Sequence, residues 1–206
     1  MFKTVLFDLD GTLTDPYEGI TRSVAYALHF FDIEVPDRTV LCPFIGPPLK
    51  DSFMRFYGFS SADAELAIAR YRDYFAGKGL FENTVYPGIP SLLDALENAG
   101  RRHVLATSKP SVFAERILTH FGLRRYFSAV AGSDLDGKRV KKEDVLRHAL
   151  ELTNAKPARS LMIGDREYDV AGARAVGMDC IGVTYGYGSE KELSDSGAVA
   201  LADSPE

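Results

Sequence analysis

From Arg102 onward the chain alternates short β-rich runs with single amphipathic segments, and this alternation limits the possible folds more than any other feature. His103 to Ala106, Ala129 to Ala131, Leu161 to Ile163 and Cys180 to Val183 read as buried strands, with Thr4 to Phe7 as another at the start. Between them, Ser111 is placed to cap a helix in which Phe113, Ile117 and Phe121 recur every four residues before Gly122. The next helix carries Val145, Ala149 and Leu152, and a third, starting near Asp169, shows Val170, Ala173 and Val176 before Gly177. Strands joined by single helices of this length imply parallel crossovers. The expected class is therefore α/β, a doubly wound Rossmann-like parallel sheet with both faces covered.

The interval from Pro16 to Asn83 breaks the rhythm. It reads as consecutive helices with no convincing buried strand between them: Ile20, Val24, Leu28 and Phe31 on the first, Leu49, Phe53 and Phe56 on the second, and Ala64, Ile68, Tyr71 and Phe75 on a third after Ser60 or Ser61. Three helices exceed what one crossover needs, so a helical cap domain over residues 16–82 is expected, with residues 1–15 and 83–206 forming the core. The helix from Ile89 to Leu96, ending near Gly100, returns the chain to that core, and 206 residues suffice for one core plus a modest insertion. At the other end, Ser204-Pro205-Glu206 resembles the start of another helix.

Charge and cysteine content narrow the function classes. A net charge of −5 lacks the global basic field of a duplex-binding module, so nucleic acid is not expected as a partner. Cys42 and Cys180 are the only cysteines and stand far apart, which argues against a disulfide framework or zinc cluster and for a reducing compartment. The apolar run before Asp8 is too short for a signal sequence, and no stretch of about 18 uncharged apolar residues occurs. The expectation is a soluble cytoplasmic protein without a membrane partner; its oligomeric state leaves no mark in the sequence.

Four constellations fall at the carboxyl ends of the expected strands, where ligands bind in open parallel sheets. Asp8-Leu9-Asp10-Gly11-Thr12 follows the first strand and reads equally as a turn, with aspartates capping amides, or as a site. Thr107-Ser108-Lys109-Pro110 offers hydroxyls, amides and a cation suited to phosphate, although Lys109 alone reads as solvated. Lys142, with Lys141 beside it, opens the helix after Ala129; a charged first turn is usually just a solvated face. Gly164-Asp165-Arg166-Glu167-Tyr168-Asp169 sets one aspartate at a strand end and another one helical turn on, where Asp169 can also be a simple helix cap. Asp8, Asp10, Asp165 and Asp169 crowded at one edge would repel one another unless a hard cation neutralised them, and oxygen-only ligands select Mg²⁺ over zinc.

These four motifs, in this order, resemble those of the haloacid dehalogenase superfamily, and the resemblance covers nearly the whole chain. Gly19-Ile20-Thr21, Gly46-Pro47-Pro48, Tyr86-Pro87-Gly88 and Thr107-Ser108-Lys109-Pro110 look like its phosphoglycolate phosphatase-like branch, which includes 5′-nucleotidase-like members, with the cap inserted after the first motif. The resemblance implies a Mg²⁺-dependent phosphatase acting on a small phosphorylated metabolite. Asp8 would be the nucleophile and Asp10 the acid and base; Thr107, Ser108 and Lys142 would bind the phosphoryl group. Asp8, the backbone carbonyl of Asp10, Asp165 and Asp169 would hold the metal. Lys142 is preferred over Lys141 because Val145 then sits three residues later, as the family pattern has it.

Asp10 argues against dehalogenases, which lack that carboxylate. Phosphomutases keep both aspartates, and a non-catalytic phosphoacceptor or ligand-binding domain is the alternative from another class. Substrate choice would come from the cap. Arg22 or Lys50 facing the cleft would favour a phosphorylated carboxylate such as phosphoglycolate, whereas Phe53 or Tyr71 would suit a nucleoside 5′-monophosphate; both cations also read as plain surface charges. Gly186-Tyr187-Gly188 reads as a loop after the last strand.

Overall fold

The computed structural model describes residues 2–135 and 139–206, so Met1, which the sequence assigns to the core, lies outside the described residues. In chain order the elements are β1 (Thr4–Phe7), β2 (Thr14–Asp15), α1 (Tyr17–His29), α2 (Leu49–Tyr57), α3 (Ser61–Tyr74), β3 (Thr84–Val85), α4 (Ile89–Asn98) and β4 (Arg102–Pro110). There follow α5 (Ser111–His120), β5 (Phe127–Ser133), α6 (Lys142–Thr153), β6 (Ser160–Gly164), α7 (Glu167–Ala175), β7 (Asp179–Val183), α8 (Glu190–Ser196) and β8 (Ala200–Ala202).

Six strands form one parallel sheet in the order β5-β4-β1-β6-β7-β8. Every residue of β1 is buried because β1 is the central strand, paired on both edges; Leu6 faces Val104 on one side and Met162 on the other. This explains why Val5, Leu6 and Phe7 form a continuous apolar run and not an alternation. Val145, Leu146 and Ala149 of α6 and Val170 and Ala173 of α7 close over Leu6, Val104, Ala106 and Met162 to make a core. From β1 the chain builds outward through β4 and β5, then crosses back to β6 on the other side of β1. The winding therefore reverses between β1 and β6, and the carboxyl ends of those two strands flank the crevice that such a reversal opens.

Contacts divide the chain into two units, Met1–Asp15 with Val85–Glu206, and Pro16–Thr84. The second unit is the helical insert. Ile20, Val24 and Leu28 of α1 are buried in it, as are Ala64, Ala67 and Tyr71 of α3, and α1 packs on α3. Phe53 of α2 stacks on Phe59 and meets Phe44 edge-on, so these rings are insert core. No helix among the described residues is long and apolar enough to cross a membrane.

Several details depart from the pattern. Ser111 is the first residue of α5 and not its cap; Pro110 precedes it, and no side chain caps the helix. Leu152 and Phe56 are exposed, the buried stripes running instead through Leu146 and Leu150 on α6 and through Phe53 on α2. Ala67, not Ile68, is buried on α3. The strand that ends at Val183 is not the last. The chain continues into α8 and β8, a three-residue edge strand of Ala-Leu-Ala that carries no β-branched residue to signal it. Ser204-Pro205-Glu206 forms no helix.

Candidate active site

Asp8 is the first residue beyond β1, and its N–H still donates to Ile163 O of β6 at 2.9 Å, which delivers its side chain to the β1/β6 crevice. The chain then turns tightly, with Leu9 O accepting from Leu13 N at 2.9 Å and from Thr14 N at 3.0 Å. Gly11 makes the turn possible in two ways. Its φ of 82° is left-handed, and a Cβ there would lie 2.1 Å from Asp165 Oδ2. The motif is a turn, and that turn packs against Asp165.

Lys142, the first residue of α6, is buried with its ammonium between carboxylates: Nζ is 2.9 Å from Asp8 Oδ1 and 2.7 Å from Asp169 Oδ1, and it donates to Ala106 O at 3.1 Å. Lys141 caps the same helix and is exposed. Thr107, at the carboxyl end of β4, is buried, and its Oγ1 accepts from Lys109 N at 3.3 Å. Ser108 beside it is half-buried, its carbonyl accepting from Ser133 Oγ at 2.7 Å.

Asp165 follows β6 and is fully buried; Oδ2 accepts from Tyr187 N at 2.8 Å and Oδ1 from Thr12 Oγ1 at 3.4 Å. Asp169 is not a helix N-cap but lies inside the first turn of α7. There Oδ2 accepts from Arg166 N at 3.1 Å, while the opposite oxygen faces Lys142. One carboxylate oxygen from each of Asp8, Asp165 and Asp169 falls within 4.8 Å of the other two. Asp10, expected at the metal through its carbonyl, keeps its side chain apart from this trio. Its Oδ2 lies 2.7 Å from Lys109 Nζ.

Burial sets the protonation of these groups. It pushes the Asp165 carboxyl well above the ordinary range, and the neighbouring Asp169 and Asp8 push in the same direction. Asp169 is raised to about 6, again chiefly by burial, with Lys142 pulling it down and Asp8 pushing it up. Asp10 is raised by burial against the opposing pull of Lys109. Burial pulls Lys142 down, but attraction to Asp169 and Asp8 outweighs it, so this lysine is held charged. Three buried carboxylates against one ammonium leave two negative charges when all are ionised, which one divalent cation would neutralise. An all-oxygen, buried donor set fits a hard ion of that kind.

Some contributors left little trace in the sequence. Lys109, which alone reads as a solvated cation, is buried on Asp10. Tyr187 acts on Asp165 through its backbone N–H, a contact with no residue-type signature, while its hydroxyl donates to Asp15 Oδ1. Tyr185 donates to Thr12 O at 2.9 Å and meets the ring of Tyr86 edge-on.

Residues 5–183 match the profile of the haloacid dehalogenase-like hydrolases. The chain belongs to that family. Among its haloacid dehalogenase-like relatives is a 5′-nucleotidase of Pseudomonas aeruginosa, 52% identical over 93% of this chain and 87% of that protein. The tyrosine-protein kinase PtkA of Mycobacterium tuberculosis is 43% identical over 90% of this chain, which spans 63% of the kinase's length. A crystal structure of a predicted phosphatase from Clostridium acetobutylicum superposes with a TM-score of 0.97 at 55% identity, over 99% of this chain and 94% of that one. The family expected from the four motifs is thereby established.

Proposed function

We propose that this haloacid dehalogenase-like hydrolase is a Mg²⁺-dependent phosphatase that hydrolyses small phosphomonoesters, nucleoside 5′-monophosphates foremost, through a phosphorylated Asp8. The observation that carries the reading is Asp8 itself: a buried carboxylate at the strand-reversal point, held by Lys142, within reach of two further carboxylates and two residues from a second acid. In the first step an Asp8 oxygen forms a bond to phosphorus as the bond to the leaving oxygen breaks, and Asp10 gives its proton to that oxygen. In the second, water attacks the phosphorus, the Asp8 oxygen–phosphorus bond breaks, and Asp10 takes the proton back. Lys142 and Thr107 offset the charge on the phosphoryl oxygens, and Ser108 supports the same strand exit. Asp8, Asp165 and Asp169 would hold Mg²⁺, together with the carbonyl of Asp10; the bound ion supplies Lewis-acid neutralisation of phosphoryl charge.

Two observations favour a nucleotide over phosphoglycolate. The chain is 52% identical to the Pseudomonas 5′-nucleotidase, against 32% to a phosphoglycolate phosphatase of Rhodospirillum rubrum. Arg22 and Lys50, the cations considered for a second anionic group, are engaged elsewhere in the insert: Arg22 with Glu18 at 2.8 Å and Glu82 at 2.7 Å, Lys50 with Glu65 at 2.7 Å. The insert, residues 16–82 in the sequence reading, is proposed as the cap that selects the leaving group. A cytoplasmic location agrees with both cysteines being free.

Comparing kcat/KM for nucleoside 5′-monophosphates, phosphoglycolate and hexose phosphates with Mg²⁺ present tests the reading. Highest kcat/KM for a nucleotide, with release of inorganic phosphate, is expected. Phosphate recovered on a sugar or a protein hydroxyl in place of water overturns hydrolysis, and phosphate retained on Asp8 without turnover would make the chain a phosphoacceptor.

A further inference from the structure

Lys109 is a buried cation that the hydrolytic scheme above does not use. Its Nζ lies 2.7 Å from Asp10 Oδ2, with side-chain exposures of 5% and 11%, so the pair is almost free of competing water. The other oxygen, Asp10 Oδ1, is buried and has no hydrogen-bond partner among the described residues. The two oxygens of one carboxylate thus have opposite circumstances, one charge-paired and one open.

The backbone that carries Lys109 is itself fixed. Its N–H donates to Thr107 Oγ1 at 3.3 Å, and its carbonyl passes so close to β5 that a Cβ on Gly132 would lie 2.5 Å from it. Lys109 therefore reaches Asp10 from a strand end packed closely against β5. Exposed ion pairs contribute little and do not hold geometry, but removing one partner of a buried pair strands a charge without compensation. Rotating the Asp10 carboxylate away from Lys109 meets that same penalty.

We propose that Lys109 is the positioning residue of the acid–base step: it fixes Asp10 through Oδ2 and so leaves Oδ1 as the atom that exchanges a proton with the leaving-group oxygen and then with water. The inference rests on the phosphatase reading. It assigns to the third residue of Thr107-Ser108-Lys109 a duty separate from phosphoryl binding by the first, and it ties the carboxyl end of β4 to protonation of the leaving group.

Leaving-group dependence separates this role from a structural or phosphate-binding one. A nucleoside 5′-monophosphate expels an alkoxide that needs a proton, whereas 4-nitrophenyl phosphate expels an oxygen stable as an anion. With the full chain and Mg²⁺, Lys109→Met should lower kcat about 100-fold on the nucleotide and less than about 10-fold on the aryl ester. KM for both should stay within about threefold. Lys109→Arg should recover part of the nucleotide turnover. In an Asp10→Ala background, Lys109→Met should bring no further loss on the nucleotide, because residues that act as one unit are not additive. Equal losses on both substrates, a raised KM, or additive losses with Asp10→Ala would overturn the inference while leaving the phosphatase reading intact. Wild-type protein that turns over neither ester overturns both. Should Lys109→Met fail to fold, Lys109→Gln is read by the same ratio.

Discussion

Lys142 Nζ lies 2.9 Å from Asp8 Oδ1, joining the first residue of α6 to the first residue beyond the central strand. The same ammonium reaches Asp169, so one cation holds together side chains from three separate segments. Asp8→Asn keeps the shape but removes the nucleophile, and turnover should fall by about 10³ or more, because no neighbouring carboxylate is placed to replace it. Phosphate release assays on a nucleotide check this, and near-normal turnover would refute the role.

Lys142→Met should act on stability as well as activity. Without the ammonium, Asp8, Asp165 and Asp169 face one another uncompensated, so the variant should melt several degrees lower in EDTA than in excess Mg²⁺. A Tm difference between the two conditions no larger than that of the wild type would contradict the charge balance drawn above.

The metal site gives a ranking. Asp165 and Asp169 both offer an oxygen to the trio, but Asp169 also anchors Lys142 and the Arg166 N–H. Asp165 is held by the uncharged donors Tyr187 N and Thr12 Oγ1. Asp165→Ala should therefore weaken Mg²⁺ binding more than Asp169→Ala, read by calorimetric titration; equal affinity in wild type and the Asp165 variant would remove Asp165 from the site.

What the sequence made legible follows from what side chains signal. Asp8 and Asp165 were readable as ionisable residues placed just beyond buried apolar strands, whereas Lys142 and Asp169, which alone read as a solvated first turn and a helix cap, stood out only through the resemblance of the four motifs to the family. β1 was readable to the residue because it is central, and its Val-Leu-Phe run is buried on both faces. The duty of Lys109 was not, since a lysine at a strand end looks solvated until its carboxylate partner, far away in sequence, is seen buried against it. Tyr187 contributes a backbone N–H, which any residue would offer. β8 was hidden by its short Ala-Leu-Ala sequence, which pairs with β7 at the sheet edge without the apolar pattern of a central strand.

Arg22→Ala and Lys50→Ala should each leave kcat/KM for nucleotides within about twofold of wild type. Their charges are paired with Glu18, Glu82 and Glu65 in solvent-screened contacts within the insert. A selective loss on phosphoglycolate in either variant would return that cation to the substrate and shift the preferred leaving group toward a carboxylate.

The last prediction concerns pH and the metal together. Asp169 has a folded-state value of about 6, above its ordinary 3.8, because burial favours the neutral form; Asp165 and Asp10 are displaced in the same direction. For a group raised in this way the folded state binds the proton more tightly than the unfolded chain. Its stabilisation is complete below the ordinary value and is lost as pH climbs through the raised one. In EDTA, Tm should thus fall between pH 5 and pH 7 as these carboxyls are forced to ionise in a buried cluster. Mg²⁺ binds their ionised forms, so protons compete with it, and the Tm gain on adding Mg²⁺ should grow over the same interval. Thermal melts at pH 5, 6 and 7, with EDTA and with Mg²⁺, give both quantities. A Mg²⁺ increment as large at pH 5 as at pH 7 would mean that the ion binds without displacing protons, and the trio of aspartates would then not be its ligands.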